Sequence, residues 1–253
     1  MPPLIQLVDP CTMSGLVSML NMPADFEFCA LEKAANYRAA LLEEFTPFLK
    51  GNVIELGAGI GQFTAALAAI EGVQRLVSVE PDLRFGEEFG RRHPGRELVA
   101  GTLASVPDQA GWDALVSINV LEHVRGDAAE LARWRHVLAQ RRGNVCLFVP
   151  ARPELFAPID ADFGHFRRYT RPELRRKLQT AGFRIHRLHY FNLAGYFGWW
   201  LFFCLLKKRH FHARSVSCFD RLVFPVTHFL ERRLARPPFG QSLLAVAQAS
   251  AFD

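Results

Sequence analysis

The chain has 253 residues, half of them hydrophobic, and a formal net charge of +5. This length and apolar content support a full globular core and exclude a disordered polymer. Five cysteines, odd in number and without a C-x-x-C pair, fit reduced thiols in a cytoplasm better than a disulfide framework or a zinc site.

In chain order, residues 1–50 read as a helical lead-in. Residues 1–30 are apolar without a clean period, and no Lys or Arg precedes Lys33, so no secretory signal is expected. Over 31–49 the spacing of Leu31, Ala35, Leu42 and Phe45 predicts an amphipathic helix, ended by Pro47 and Gly51. Apolar runs then predict strands over 52–56, 75–80, about 97–101, 113–119, 143–149, 183–190 and 241–248. Helices fill the gaps between most of them, the clearest starting at Asp127 and ending at Gly143. Strands alternating with helices form a largely parallel sheet with both faces covered, and such sheets bind ligands at the carboxyl ends of their strands.

The sharpest motif follows the first strand. Glu55-Leu56-Gly57-Ala58-Gly59-Ile60-Gly61 places three glycines between strand and helix, where backbone must turn sharply or pass close to a ligand. A dinucleotide site would carry G-x-G-x-x-G; here the third glycine comes one residue early. Glu55 would repel a pyrophosphate but suits an ammonium or sulfonium charge. Glu80 ends the second strand, followed by Pro81, at the distance where an acid takes ribose hydroxyls. The fourth strand runs into Asn119-Val120-Leu121-Glu122-His123.

These three pieces resemble the class I S-adenosylmethionine-dependent methyltransferases, and the later loops resemble their bacterial type 11/23 branch, from about Asn36 to the end of the chain. The resemblance implies a Rossmann-like seven-stranded sheet, mostly parallel, with an antiparallel last strand. It implies S-adenosylmethionine as cofactor, held by Glu55, Gly57, Ala58, Gly59, Gly61, Glu80 and Pro81, with Asn119 and Val120 lining the pocket and Tyr37 on a closing helix. The third strand ends Ala100-Gly101-Thr102, without the acid that in the family meets the adenine amino group. Methyl transfer from a sulfonium requires no metal, and no metal-ligand motif stands out.

The acceptor side is expected in the loop 150–169. His165 is the candidate base, with Asp160 or Asp162 to orient it and Tyr169 nearby; His123 is its rival. A turn-capping or packing role is the competing reading for each histidine. Arg167 and Arg168 are candidates to hold an anionic group of the acceptor.

Between the sixth and seventh strands, residues 191–238 read as a helical insertion. Leu193 to Leu206 carries no charge and is followed by Lys207, Lys208 and Arg209. From Arg184 to Arg236 ten basic residues face two acidic ones, a local balance of +8 that leaves −3 for the rest of the chain. An aromatic run beside basic residues suits a helix lying at an anionic membrane surface; a buried or oligomer contact and a true span are the alternatives. The domains expected are thus 1–50, then 51–190 with 239–253, then 191–238. The functional expectation is methyl transfer to a small or lipid-like amphipathic acceptor, peripheral on the cytoplasmic face of a membrane. The rival is a non-catalytic membrane-surface protein that kept the fold.

Other classes are disfavoured. A nicotinamide reductase would need the other glycine spacing and a Tyr-x-x-x-Lys, and no tyrosine here precedes a lysine by four. A nucleic-acid methyltransferase would grip a flipped base with Asn/Asp-Pro-Pro-Tyr, which the fourth strand lacks, and no nucleic-acid partner is expected.

Overall fold

The computed structural model describes residues 32–107, 111–233 and 237–251. Expectations for residues 1–31, for Leu234 and for Arg236 lie outside them. Seven strands form one sheet: β1 Gly51–Leu56, β2 Val73–Glu80, β3 Glu97–Ala100, β4 Ala114–Ile118, β5 Asn144–Pro150, β6 Phe183–Phe191 and β7 Ser242–Ala249. Their order is β3-β2-β1-β4-β5-β7-β6. The first five run parallel, and β7 lies antiparallel to both β5 and β6. All seven fall within a few residues of the apolar runs that predicted them.

The sheet is covered on both faces, as buried parallel strands require. On one face the helix Asp127–Ala139 buries Leu131, Trp134 and Leu138 against β4 and β5, and Trp112 seals the layer. On the other, Leu41 and Phe45 of the helix Ala35–Phe45 pack with Phe148, Phe191 and Phe224. Phe224 comes from the segment between β6 and β7, so that segment shares the core of the lead-in helix.

That segment forms two bent helices. The first runs Leu193–Trp199 and widens to the π form over Trp200–Leu205; the second runs Ala213–Cys218, widens over Phe219–Val223 and ends as Phe224–Arg233. Two acids of the second helix cap the starts of other helices. Buried Asp220 accepts the N–H groups of Asn36 and Tyr37 at 3.0 and 2.9 Å. Glu231 accepts those of Asn192 and Leu193 at 3.2 and 2.7 Å. Helix starts carry unsatisfied N–H groups and partial positive charge, so a remote carboxylate there both bonds and neutralises.

Asp127 differs from its expected place. It opens its helix, but its carboxylate serves Tyr169 and Lys177, not the helix's own N–H groups. Among the described residues no helix is long and apolar enough to cross a membrane. That removes the true span as a reading of the Leu193–Leu206 run within those residues.

Candidate active site

At the carboxyl end of β1 the chain turns through Gly57, Gly59 and Gly61, all with positive φ (+75°, +56° and +85°). The turn is tied to the neighbouring strand, because the N–H groups of Gly57 and Ala58 both donate to the carbonyl of Val79. A Cβ at Gly57 would stand 2.3 Å from Val120, and one at Gly61 would stand 2.2 Å from the His93 ring. These glycines therefore let two loops close on one another as well as freeing the turn.

Glu80 sits at the end of β2 with both oxygens turned into that turn. Oε2 accepts the N–H of Gly59 at 2.8 Å and Oε1 that of Asp82 at 2.9 Å. Burial pushes its carboxyl up, opposed by those two hydrogen bonds. A carboxylate offers about four lone-pair sites, so two remain for hydroxyl donors, and the residue fits a ribose diol. Glu55 lies deeper. The hydroxyls of Thr64 and Ser78 both donate to its Oε2, at 2.6 and 2.7 Å. It braces the turn from below, joining β1, β2 and the helix Thr64–Ala68.

Burial raises the Glu55 carboxyl from 4.5 to about 7, with the two hydroxyls opposing. A folded value above the unfolded one gives stability that is fully present below pH 4.5 and lost as pH rises through about 7. The shift corresponds to about 3 kcal/mol. Urea unfolding of the wild type and Glu55→Gln at pH 5 and pH 8 should therefore show the wild type losing about 3 kcal/mol more across that window. Parallel pH profiles would mean that Glu55 is already ionised when buried.

An apolar cavity of about 270 Å³ lies between the ends of β4 and β5 and the two bent helices. Its walls include Asn119, Pro150, Trp199, Phe203, Phe211 and Phe219, with Arg168 and His165 among its charged and polar members. Asn119 holds a φ of +52° at the end of β4. Asn119 faces this cavity while the next residue, Val120, packs on Gly57. The end of β4 is thus the wall shared by the glycine turn and the cavity. Tyr37 also lines the cavity, in an aromatic cluster with Phe148, Phe191 and Phe224, and burial pushes its phenol up.

Behind the wall, Asp160 organises a buried network. Its Oδ1 meets Nδ1 of His165 at 3.0 Å and accepts from Nε of Arg168 at 2.9 Å, while Oδ2 accepts the N–H of Ala157 at 2.8 Å. Burial pushes Asp160 up, and His165 and Arg168 more than reverse it, holding the carboxyl below its usual range. The Arg168 guanidinium also stacks over Trp199 at 4.4 Å.

Four expectations need correction. Tyr169 is fully buried; its hydroxyl donates toward the Leu121 carbonyl and Asp127, and burial pushes its pKa far up. It braces the core and does not reach the cavity. Arg167 pairs with Asp127 at 2.9 Å and donates to the Arg125 carbonyl, away from the cavity lining. His165 lines the cavity with its ring, but Nδ1 is on Asp160 and Nε2 is buried 3.9 Å from Glu122, so neither nitrogen is presented to an acceptor as a base. Trp199, part of the Leu193–Leu206 run expected at a membrane surface, is buried and donates to the Leu155 carbonyl.

Sequence reasoning missed Glu122, which is fully buried beside His123 and His165. The signal was present in its direct sequence contact with His123, but His165 is 42 residues away. Burial and the neighbouring His165 lower His123 to about 4, so it is neutral near pH 7.

A family model described as a methyltransferase domain matches residues 30–188, more than half of the chain. Among solved structures, an S-adenosylmethionine-dependent methyltransferase from Mesorhizobium loti is similar at 16% identity, covering 86% of this chain and 99% of that one with a TM-score of 0.57. The YcgJ protein of Bacillus subtilis is similar at 14% identity, over 85% and 100% of the two chains, with a TM-score of 0.55. A methyltransferase of Haloferax volcanii, solved in complex with the Trm112 methyltransferase activator, is similar at 14% identity over 90% and 96%, with a TM-score of 0.58. At these identities the likeness is one of fold. No curated protein matches the sequence. The strand order, the glycine turn and the matched family model agree, and S-adenosylmethionine is the methyl donor. The chain belongs to the methyltransferase-domain family, as a class I S-adenosylmethionine-dependent methyltransferase.

Proposed function

We propose that the protein transfers a methyl group from S-adenosylmethionine to a small or lipid-like amphipathic acceptor at a membrane surface. The observation that carries this reading is the shared wall at the end of β4: Val120 on the glycine turn, Asn119 on an apolar cavity. In this reading the turn Gly57–Gly61, Glu80 and Pro81 hold the donor, with Glu55 beneath them. The acceptor's apolar part lies among Trp199, Phe203 and Phe211, and its polar part meets the Arg168 end of the cavity. The sulfonium is already activated, so the protein's work is alignment of the two reactants.

The outer face of the same helices supports the membrane half of the reading. Trp200, Leu205, Leu206, Leu222, Val226 and Phe229 are exposed, with Lys207, Lys208 and Arg209 between the two helices. Arg209 is partly taken up by Asp162 at 3.4 Å. Exposed apolar groups beside cations are the composition of an interfacial helix.

The full-length protein should co-sediment with anionic vesicles more than with neutral ones, and less at high salt. Replacing Lys207 and Lys208 with Ala should weaken that binding roughly tenfold or more, at about 1 kcal/mol per basic residue. Trp200→Ser with Leu205→Ser should abolish it. Absence of sedimentation under every condition would sink the membrane reading. Incubation with methyl-labelled S-adenosylmethionine and a membrane lipid extract tests the acceptor: label should appear in the organic phase, and label confined to water-soluble products would exclude a lipid-like acceptor.

A further inference from the structure

Donor binding and the acceptor cavity do not account for the group formed by Glu122, His123 and His165. Glu122 and His123 lie in the short turn Leu121–His123 that follows β4, and His165 enters from the loop after the short helix Pro158–Asp162. Each offers one ligand atom, and these atoms all lie within 4.8 Å of one another. Glu122 is fully buried, His165 nearly so, and His123 partly exposed. The two rings meet edge to face with centroids 4.6 Å apart.

The separation between His165 and Glu122 suits a shared ion. Nε2 of His165 stands 3.9 Å from Oε1 of Glu122, too far for a hydrogen bond. Two ligands bound to one ion at about 2.0–2.2 Å each sit roughly 3–4 Å apart. The histidines are also held from behind. Asp160 engages Nδ1 of His165, and Arg168 anchors Asp160 in turn. The His123 ring hydrogen-bonds to the main chain of Gly164. A carboxylate or carbonyl behind each imidazole is the arrangement that fixes tautomer and aim in a metal-bound histidine.

We propose that Glu122, His123 and His165 form a binding site for one divalent transition-metal ion, of the zinc, manganese or cobalt class. Two imidazoles and one carboxylate suit these ions better than calcium, which takes six to eight oxygens. Three protein ligands leave at least one coordination position for water or an acceptor oxygen. The site adjoins the acceptor cavity through the His165 ring. An ion there lowers the pKa of an oxygen bound to it, a task that the buried nitrogens of His165 are not placed to perform by direct contact. That last role rests on the acceptor reading above; the metal site itself does not.

The test uses the full-length protein, stripped with chelator and titrated with Zn²⁺, Mn²⁺ and Co²⁺ without donor or acceptor. One equivalent should bind with a micromolar or tighter Kd, and Co²⁺ should give visible d–d absorption. His123→Ala should weaken binding by roughly 100-fold or more, and Asp160→Asn by about 10–100-fold. Glu122→Gln should behave as His123→Ala does, with circular dichroism reporting the fold of each variant. His123 is the partly exposed member, so its replacement keeps the test decisive even where the Glu122 variant does not fold. No saturable binding of any of the three ions would overturn the site and leave the cluster as a buried ion pair. Binding of one equivalent that His123→Ala leaves unchanged would overturn it too, by placing the ion elsewhere.

Discussion

Asp160→Ala is expected to lower stability by about 3–5 kcal/mol, the largest loss of any single substitution named here. The reason is what the change leaves behind. Arg168 is almost wholly buried, with side-chain exposure of 1%, and Asp160 holds both its Nε and its Nη2. Removing the carboxylate strands a guanidinium in the core beside an imidazole, and frees the Ala157 N–H that starts the helix Pro158–Asp162. Replacing the pair together, as Asp160→Ala with Arg168→Met, should cost less than Asp160→Ala alone, because no charge is then left buried. Urea unfolding of the three proteins measures both quantities. A loss under 1 kcal/mol for Asp160→Ala would mean that water reaches this network.

The second large effect concerns the donor. Glu80→Ala should weaken S-adenosylmethionine binding by about 100-fold or more, since hydrogen bonds to a charged acceptor contribute about 1.5–3 kcal/mol each. The carboxylate also fixes the Gly59 and Asp82 N–H groups, so its loss loosens the turn as well as removing a ligand contact. Glu80→Gln keeps an acceptor oxygen and should fall between the two. Calorimetric titration with S-adenosylmethionine decides it. An affinity within threefold of wild type in Glu80→Ala would remove Glu80 from the donor site.

How much of this was readable in the sequence follows from the range of each interaction. The strands were, because most are runs of apolar residues, and the central ones, β1, β4, β5 and β7, are largely buried. The glycine turn and Glu80 were, because their partners lie within about 20 residues and the spacing itself encodes the geometry. Arg167 and Arg168, in contrast, are neighbours of one type and cannot be ranked by composition. The structure sends one, partly exposed, to buried Asp127 and the other into the core with Asp160 and Trp199. Trp199 and Trp200 separate in the same way, since adjacent helical residues point about 100° apart and only packing decides which is covered. Tyr169 and His165 carried the right chemistry for catalysis, yet the Tyr169 hydroxyl and Nδ1 of His165 are engaged by internal partners. Asp220 is the plainest case: its bonds to Asn36 and Tyr37 span more than 180 residues, and no local pattern signals them.

The position of β7 has a consequence for how the molecule is made. Its residues Ser242–Ala249 are the latest strand of the sequence, yet it lies between β5 and β6, hydrogen-bonded on both sides. During synthesis β6 can emerge, and the two bent helices after it, without any sheet edge on which β6 can settle. The gap is filled only when residue 249 has left the ribosome. Until then β5 and β6 each expose an unpaired edge, and the aromatic helices lack the finished wall against which Phe224 packs. Such pairings of high sequence separation form late and slowly, and unpaired edges are where nascent chains associate wrongly. A nascent chain stalled just before Ser242 should therefore be protease-sensitive and chaperone-bound despite carrying six of its seven strands.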